Sequence, residues 1–313
     1  MKKYILPALL FALSLGACSP TNEPYEIKFM APSGAPTIAF YNQAIDGSLE
    51  TNSNPSIVGA QLQNNTYGGV VFDFYNGLKS IKNYNADYKL ARIITGGNLY
   101  LVGIDKTSEP TADDYIVSFG EGLLPDLVYK SIYGDEIASS THYVSGVADC
   151  GAILESGIHN GNEVDYVLVA QPVLFAKKTS SPIKERLTVV ASLRNEWYEK
   201  TGQSAIPQAG LFINQTQYNN HKDEFNAFFD EFEDAITTCI EDPQTMKAAI
   251  ESLGDADAQK AVYGFTAAVA FNVQKDNQNG FALVDYEANE SLDIAAFLNA
   301  LGKGAEDYSN YIM

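Results

Sequence analysis

Four times along this 313-residue chain a short β-like run breaks and a helical pattern starts at once. The junctions are Ser33-Gly34-Ala35-Pro36, Asp73-Phe74-Tyr75-Asn76, Gly120-Glu121-Gly122 and Ala170-Gln171-Pro172. Strands that alternate with helices predict an α/β fold, with largely parallel sheets covered by helices. In such sheets ligands gather beyond the carboxyl ends of strands. Helix N-termini there present unpaired N–H groups and a partial positive charge. Glycine lets backbone approach a ligand closely, and proline in the first helical turn gives up no hydrogen bond. Each loop taken singly is also an ordinary strand-to-helix turn; their ordered recurrence makes them candidate binding loops.

The coarse pattern divides the chain in two. Strands are expected over residues 25–30, 70–74, 88–94 and 100–105, with helices over 36–44 and 76–82. A Pro- and Asp-containing link at 109–114 precedes a restart: strand 115–119, helix 123–133 closed by Gly134, strand 164–170 and strand 187–192. Strand 208–213 returns after Pro207, and the remainder is mostly helical. The expected organisation is lobe 1 from 27–109 and 211–313 and lobe 2 from 110–210, joined by two crossings that permit hinge closure. Phe225, Phe228, Phe229 and Phe232 recur at helical spacing and read as a core-facing stripe in preference to a ligand platform. Trp197 reads as the anchor of a lobe-2 helix.

The N-terminus carries a different message. Lys2 and Lys3 precede an apolar run over residues 4–15, shorter than the roughly 20 residues that span a bilayer. The run ends in Leu15-Gly16-Ala17-Cys18, which resembles a bacterial lipobox. That resemblance implies a signal peptide over 1–17, lipidation of Cys18, a polar tether over 18–26, and an extracytoplasmic domain lipid-anchored to the bacterial membrane. A net charge of −19, from 39 acidic and 20 basic residues, repels nucleic acid and anionic lipid surfaces. Cys150 and Cys239 lie in helical patterns and read as buried free thiols. His142, His159 and His221 are scattered, and no Cys-x-x-Cys pair occurs, so neither a metal nor a cofactor is expected.

From about residue 25 onward the sequence resembles the type II periplasmic-binding-protein fold. It is most like the branch of ABC-importer binding proteins for alkanesulfonates and thiamine pyrimidine precursors. The residues that carry the likeness begin with Ala31-Pro32-Ser33-Gly34-Ala35-Pro36, Asn76-Gly77 and Thr95-Gly96-Gly97-Asn98-Leu99-Tyr100. They continue with Ser118-Phe119-Gly120-Glu121-Gly122, Pro125-Asp126, Val164 through Ala170-Gln171-Pro172, Glu196-Trp197 and Pro207-Gln208-Ala209-Gly210-Leu211-Phe212. The resemblance implies two lobes closing on a small organic ligand, a monomer, and partnership with permease and ATPase subunits. It implies ligand contacts from Ser33, Gly34, Ala35, Pro36, Asp73, Phe74, Tyr75, Asn76, Gly97, Asn98, Gly120, Glu121, Gly122, Gln171 and Pro172. Gln171 stands where the branch usually carries Glu, which puts an acid role there in doubt.

A sulfonate ligand calls for a bidentate arginine or a strong nest of helix-terminal N–H groups. Arg92, Arg186 and Arg194 all lie outside the candidate loops, whereas Asp73 and Glu121 add negative charge beside Phe74, Tyr75 and Tyr100. Aromatic faces with acceptors suit a neutral or cationic heterocycle, such as a vitamin precursor, better than a sulfonate. A sulfonate-binding transport protein and a ligand-sensing lipoprotein without a transporter are the alternatives. An enzyme is not expected: a relative that synthesises the thiamine pyrimidine would carry a cysteine-rich motif, this chain has three cysteines, and no Gly-x-Ser-x-Gly is present.

Overall fold

The computed structural model describes residues 25–275 and 280–313. The expected signal peptide, Cys18 and the tether up to residue 24 lie outside the described residues. The strands, in chain order, are β1 (Phe29–Pro32), β2 (Leu49–Asn52), β3 (Gly69–Asp73), β4 (Tyr88–Thr95), β5 (Leu99–Ile104) and β6 (Ile116–Phe119). They continue with β7 (Thr141–Val144), the hairpin β8 (Ile158–His159) and β9 (Asn162–Glu163), β10 (Tyr166–Ala170), β11 (Leu187–Ser192) and β12 (Ala209–Asn214). One sheet has the order β2-β1-β3-β12-β4, the other β11-β5-β10-β6-β7. Helices pack on both sheets, giving the α/β fold that alternation predicts.

Two details go beyond the expectation. Each sheet is mostly parallel but mixed by one strand: β12 runs antiparallel to β3 and β4, and β5 antiparallel to β10 and β11. The reason is topological. β5 and β12 are the strands that arrive from the opposite sheet, so each enters against the direction of its neighbours. The sheet boundary also moves. All six residues of β5 are buried, and the strand pairs on both sides within the second sheet. The first crossing therefore falls at 96–98, and the Pro- and Asp-containing stretch at 109–114 is a loop within the second unit. The second crossing occupies 202–208, between the helix Leu193–Thr201 and β12.

Local sequence explains several elements. Asp73 caps the helix Phe74–Tyr84, and Gly134, with φ 83°, interrupts the helix Leu124–Ala138 where its end is expected. Gly77 is required by packing: a Cβ there would lie 2.2 Å from the Phe212 ring. The aromatic stripe is core, with Phe29 and Phe228 ring centroids 4.4 Å apart and Phe40 and Phe232 4.5 Å apart; Phe229 sits at its edge. Trp197 is fully buried, but its ring meets Phe297 of the C-terminal helix Ile294–Ala300 at 5.1 Å. It therefore ties the two units together as well as anchoring its own helix.

Cys150 and Cys239 are free and buried in separate clusters. The histidines are less scattered than their positions imply: Tyr115 stacks on His142 at 4.0 Å and its hydroxyl lies 3.1 Å from His159 Nδ1. Among the described residues, no group of three His, Cys, Asp or Glu side chains is placed to hold a metal ion. No helix among them is long and apolar enough to cross a membrane.

Candidate ligand site between the two sheets

The two crossings lie side by side. Ile206 N donates to Gly96 O at 3.0 Å, and Gln208 N to Thr95 O at 2.9 Å. A Cβ on Gly97 would sit 3.1 Å from Ile206 Cβ, so this pair of strands has no room for a side chain there. Asn98, next in sequence and 2% exposed, joins three segments. Its N–H donates to Gln208 Oε1 (3.3 Å), its Nδ2 to Gln171 O (3.3 Å), and its carbonyl accepts from Gln171 N (3.0 Å). Its Oδ1 is buried without a donor. Gln171 Oε1 in turn accepts from Phe175 N at 3.0 Å, at the start of the helix Val173–Ser180. A neutral amide is therefore sufficient where an acid is expected: the side chain serves as a helix-terminal acceptor.

The second focus is Asp73 at the end of β3. Its Oδ1 accepts from Asn76 N (2.9 Å) and Asn76 Nδ2 (3.3 Å). Its Oδ2 accepts from Leu124 N at 2.6 Å, the first residue of the helix Leu124–Ala138 on the other sheet. One carboxylate thus caps a helix from each unit. Asn76 Nδ2 also reaches Gly122 O at 3.3 Å. Burial pushes the Asp73 carboxyl above its usual range, while the hydrogen bonds from Asn76 and Leu124 pull the other way.

In the loop that faces Asp73 three successive N–H groups have acceptors within the chain. Gly120 and Gly122 adopt φ of 68° and 72°, the left-handed region that glycine enters without strain. Gly122 N donates to Asp126 Oδ2 at 2.8 Å, Leu123 N to Gly120 O at 2.8 Å, and Leu124 N to Asp73. Asp126 is fully buried and also accepts from Lys130 Nζ (2.8 Å) and Tyr143 OH (2.6 Å). Sequence reasoning missed Asp126, Tyr143 and Gln208 as site residues. An acid in the first turn of a helix is a legible pattern, and Gln208 falls within the Pro207 to Phe212 motif that carries the resemblance.

The remaining candidates divide. Ser33 to Pro36 lead into the 3-10 helix Ala35–Phe40, where Thr37 Oγ1 donates to Gly34 O at 2.6 Å. Phe175, carried by the second unit, packs on the cluster that contains Ala35. Glu121 is exposed. Phe74 and Tyr75 turn elsewhere: Phe74 meets Phe297 edge-on at 5.6 Å, and Tyr75 donates to Glu306 Oε1 at 3.1 Å. Burial and then Glu306 push the Tyr75 hydroxyl up to about 12. Both aromatics pack on the C-terminal segment.

A cavity of about 290 Å³ lies beside the crossings, and none of the candidate ligand residues lines it. Its walls include Gly96 and Pro207 from the two crossings, Arg194 from the second unit, and Asp293 and Phe297 from the C-terminal segment.

The sequence matches no protein-family model and no curated protein. Solved structures do share the fold. A crystal structure of an ABC transporter from Parabacteroides distasonis is similar with a TM-score of 0.63 at 16% identity, over 92% of this chain and 98% of that one. The ligand-binding component of an ABC-type import system from Staphylococcus aureus, with zinc bound, gives 0.63 at 12%, over 92% and 96%. The periplasmic aliphatic sulphonate binding protein of Escherichia coli gives 0.59 at 12%, over 90% and 86%. The chain therefore has the periplasmic-binding-protein fold that its loop series resembles.

Proposed function

We propose that this protein, which shares the fold of ABC-importer binding components, is the extracytoplasmic solute-binding lipoprotein of such an importer. It captures a small organic ligand between two lobes joined at 96–98 and 202–208, and presents it, as a monomer, to permease and ATPase subunits. No catalytic step is assigned to it. The ligand class is a neutral or cationic heterocycle that donates hydrogen bonds.

One observation carries the ligand assignment. Three successive N–H groups that a sulfonate would use where the Gly120-Glu121-Gly122 loop opens its helix, those of Gly122, Leu123 and Leu124, already have acceptors, two of them the chain's own carboxylates Asp126 and Asp73. A helix N-terminus attracts an anion because its N–H groups lack partners; here that requirement is met internally. What is left is an acceptor, Asn98 Oδ1, which asks for a donor on the ligand. Export and anchoring rest on Leu15-Gly16-Ala17-Cys18, and a Cys18→Ser variant that still takes up labelled palmitate would refute the anchor.

Native mass spectrometry of protein purified without refolding tests the binding role, with a co-purifying small molecule as the expected result. A thermal-shift screen tests the class. Pyrimidines and related N–H-bearing heterocycles should raise the melting temperature while taurine and methanesulfonate do not. A large shift with taurine and none with pyrimidines would overturn the assignment.

A further inference from the structure

We propose that the cavity beside the crossings is a second ligand site, taking a small organic monocarboxylate with an apolar body, and that its occupancy favours the lobe arrangement described above. The argument starts from charge. This chain has 39 acidic and 20 basic residues and three arginines. Arg92 pairs with Glu233, and Arg186 pairs with Asp105 at 2.7 Å. Arg194 is half-buried and lines the cavity. Among the described residues no acid pairs with it; its Nε donates to the carbonyl of Ser204 on the second crossing at 2.7 Å. The planar fork beyond Nε is the geometry that carboxylates use.

The rest of the wall selects the ligand further. Phe297, Val284 and Leu292 supply an apolar flank. Asp293 stands at the edge, exposed, with its Oδ1 already accepting from Ala296 N at 2.8 Å. Its charge discourages dianions and phosphates. A cavity of about 290 Å³ lies at the lower end of the range for small-molecule sites. A single carboxylate on a short hydrocarbon body satisfies all of these conditions.

Coupling to closure follows from which bodies form the walls. Gly96 N donates to Ala282 O at 2.6 Å, Ile206 N to Gly96 O at 3.0 Å, and Val284 N to Ile94 O at 2.9 Å. The C-terminal stretch thus makes a third ply alongside the crossings. A Cβ on Gly96 would lie 3.1 Å from Val284 Cγ2 and 3.3 Å from Ala205 Cβ, which measures how tightly the three plies pack. Arg194 belongs to the second unit, whereas Asp293 and Phe297 lie in the C-terminal segment. A hinge rotation about the crossings therefore moves the guanidinium relative to the apolar wall. A ligand that needs both is bound best in one arrangement and shifts the population toward it.

The only tryptophan reports on the site, because Trp197 lies 5.1 Å from Phe297. Hexanoate is optically silent and serves as the probe; hexanamide is its neutral control. Titrated into the intact protein, hexanoate should produce a saturable change in Trp197 emission and hexanamide none. Arg194→Gln should weaken the apparent affinity by about tenfold or more, the loss of one charge-assisted pair. The melting temperature of that variant without hexanoate should fall by no more than the few degrees that loss of the Nε bond to the Ser204 carbonyl accounts for, which separates lost binding from lost folding. An equal response in Arg194→Gln, an equal response to hexanamide, or no saturable response in wild type would overturn the proposal. The reading does not depend on the identity of the ligand between the lobes, so it stands or falls separately from the proposed transport role.

Discussion

Replacing Asp73 separates its two jobs. As the cap of the helix Phe74–Tyr84 it holds Asn76 N at 2.9 Å, a contact whose loss to alanine costs about 1 kcal/mol. Across the units its Oδ2 takes Leu124 N at 2.6 Å, a charge-assisted bond contributing about 1.5–3 kcal/mol. Asp73→Ala loses both, so about 2.5–4 kcal/mol and a melting temperature lower by roughly 5–15 °C. Asp73→Asn keeps one acceptor for the cap, but its amide nitrogen cannot accept from Leu124 N, so it loses the bond across the units and costs about 1.5–3 kcal/mol. The binding consequence runs the opposite way. A ligand anion about 4 Å from the Asp73 carboxylate is repelled by about 4 kcal/mol at an effective dielectric of 20. Asp73→Asn lifts that repulsion, so methanesulfonate should bind about 100- to 1000-fold more tightly than to wild type. Calorimetric titration measures the affinity and a thermal melt measures the stability. Equal methanesulfonate affinity in wild type and Asp73→Asn would refute the internal-anion argument, and an Asp73→Ala variant that melts with wild type would refute the bridge between units.

Gly77→Ala should destabilise the fold by about 2 kcal/mol or more, because the added Cβ meets the Phe212 ring at 2.2 Å; denaturant unfolding checks it, with an unchanged midpoint as the refuting result. Asp114 supplies a pH test. Burial pulls its carboxyl upward, but Lys106 Nζ at 2.7 Å and the Thr111 N–H and hydroxyl outweigh burial and hold it below the usual carboxylate range. A depressed folded value means its contribution is present above about pH 4 and is lost as pH falls through the folded value. Asp114→Asn should be less stable than wild type at pH 7, and the gap should narrow in acid; a gap that stays constant would contradict the pairing.

Much of the strand order was legible because buried strands are continuous apolar runs bounded by turn residues. β3, β4, β5, β10, β11 and β12 each match an expected strand to within a residue or two. β2, with the sequence Leu-Glu-Thr-Asn, and β7, Thr-His-Tyr-Val, escaped because both are half-exposed edge strands with little apolar content. Among the candidate residues, Asp73 was recognisable as a cap, since a cap is a local relation over three positions. Its second partner was not, because Leu124 lies 51 positions away. Phe74 and Tyr75 shared the same loop and read as ligand aromatics. Their partners, Phe297 and a glutamate 231 positions beyond Tyr75, turn them into the C-terminal packing.

Sequence by itself determined the alternation of strands and helices, the glycine- and proline-bearing junctions, the absence of arginine from the candidate loops, and the lipobox-like segment at Cys18. Each is a matter of composition or of spacing within a few residues, where covalent geometry and periodicity act directly. The tertiary structure alone decided that β5 and β12 exchange between sheets and run against their neighbours. It alone decided that a carboxylate from one unit caps a helix of the other, and that Arg194 faces a cavity with no acid among the described residues paired to it. Those relations join residues far apart in the chain, and charge and hydrogen bonding act through space with no regard to sequence separation.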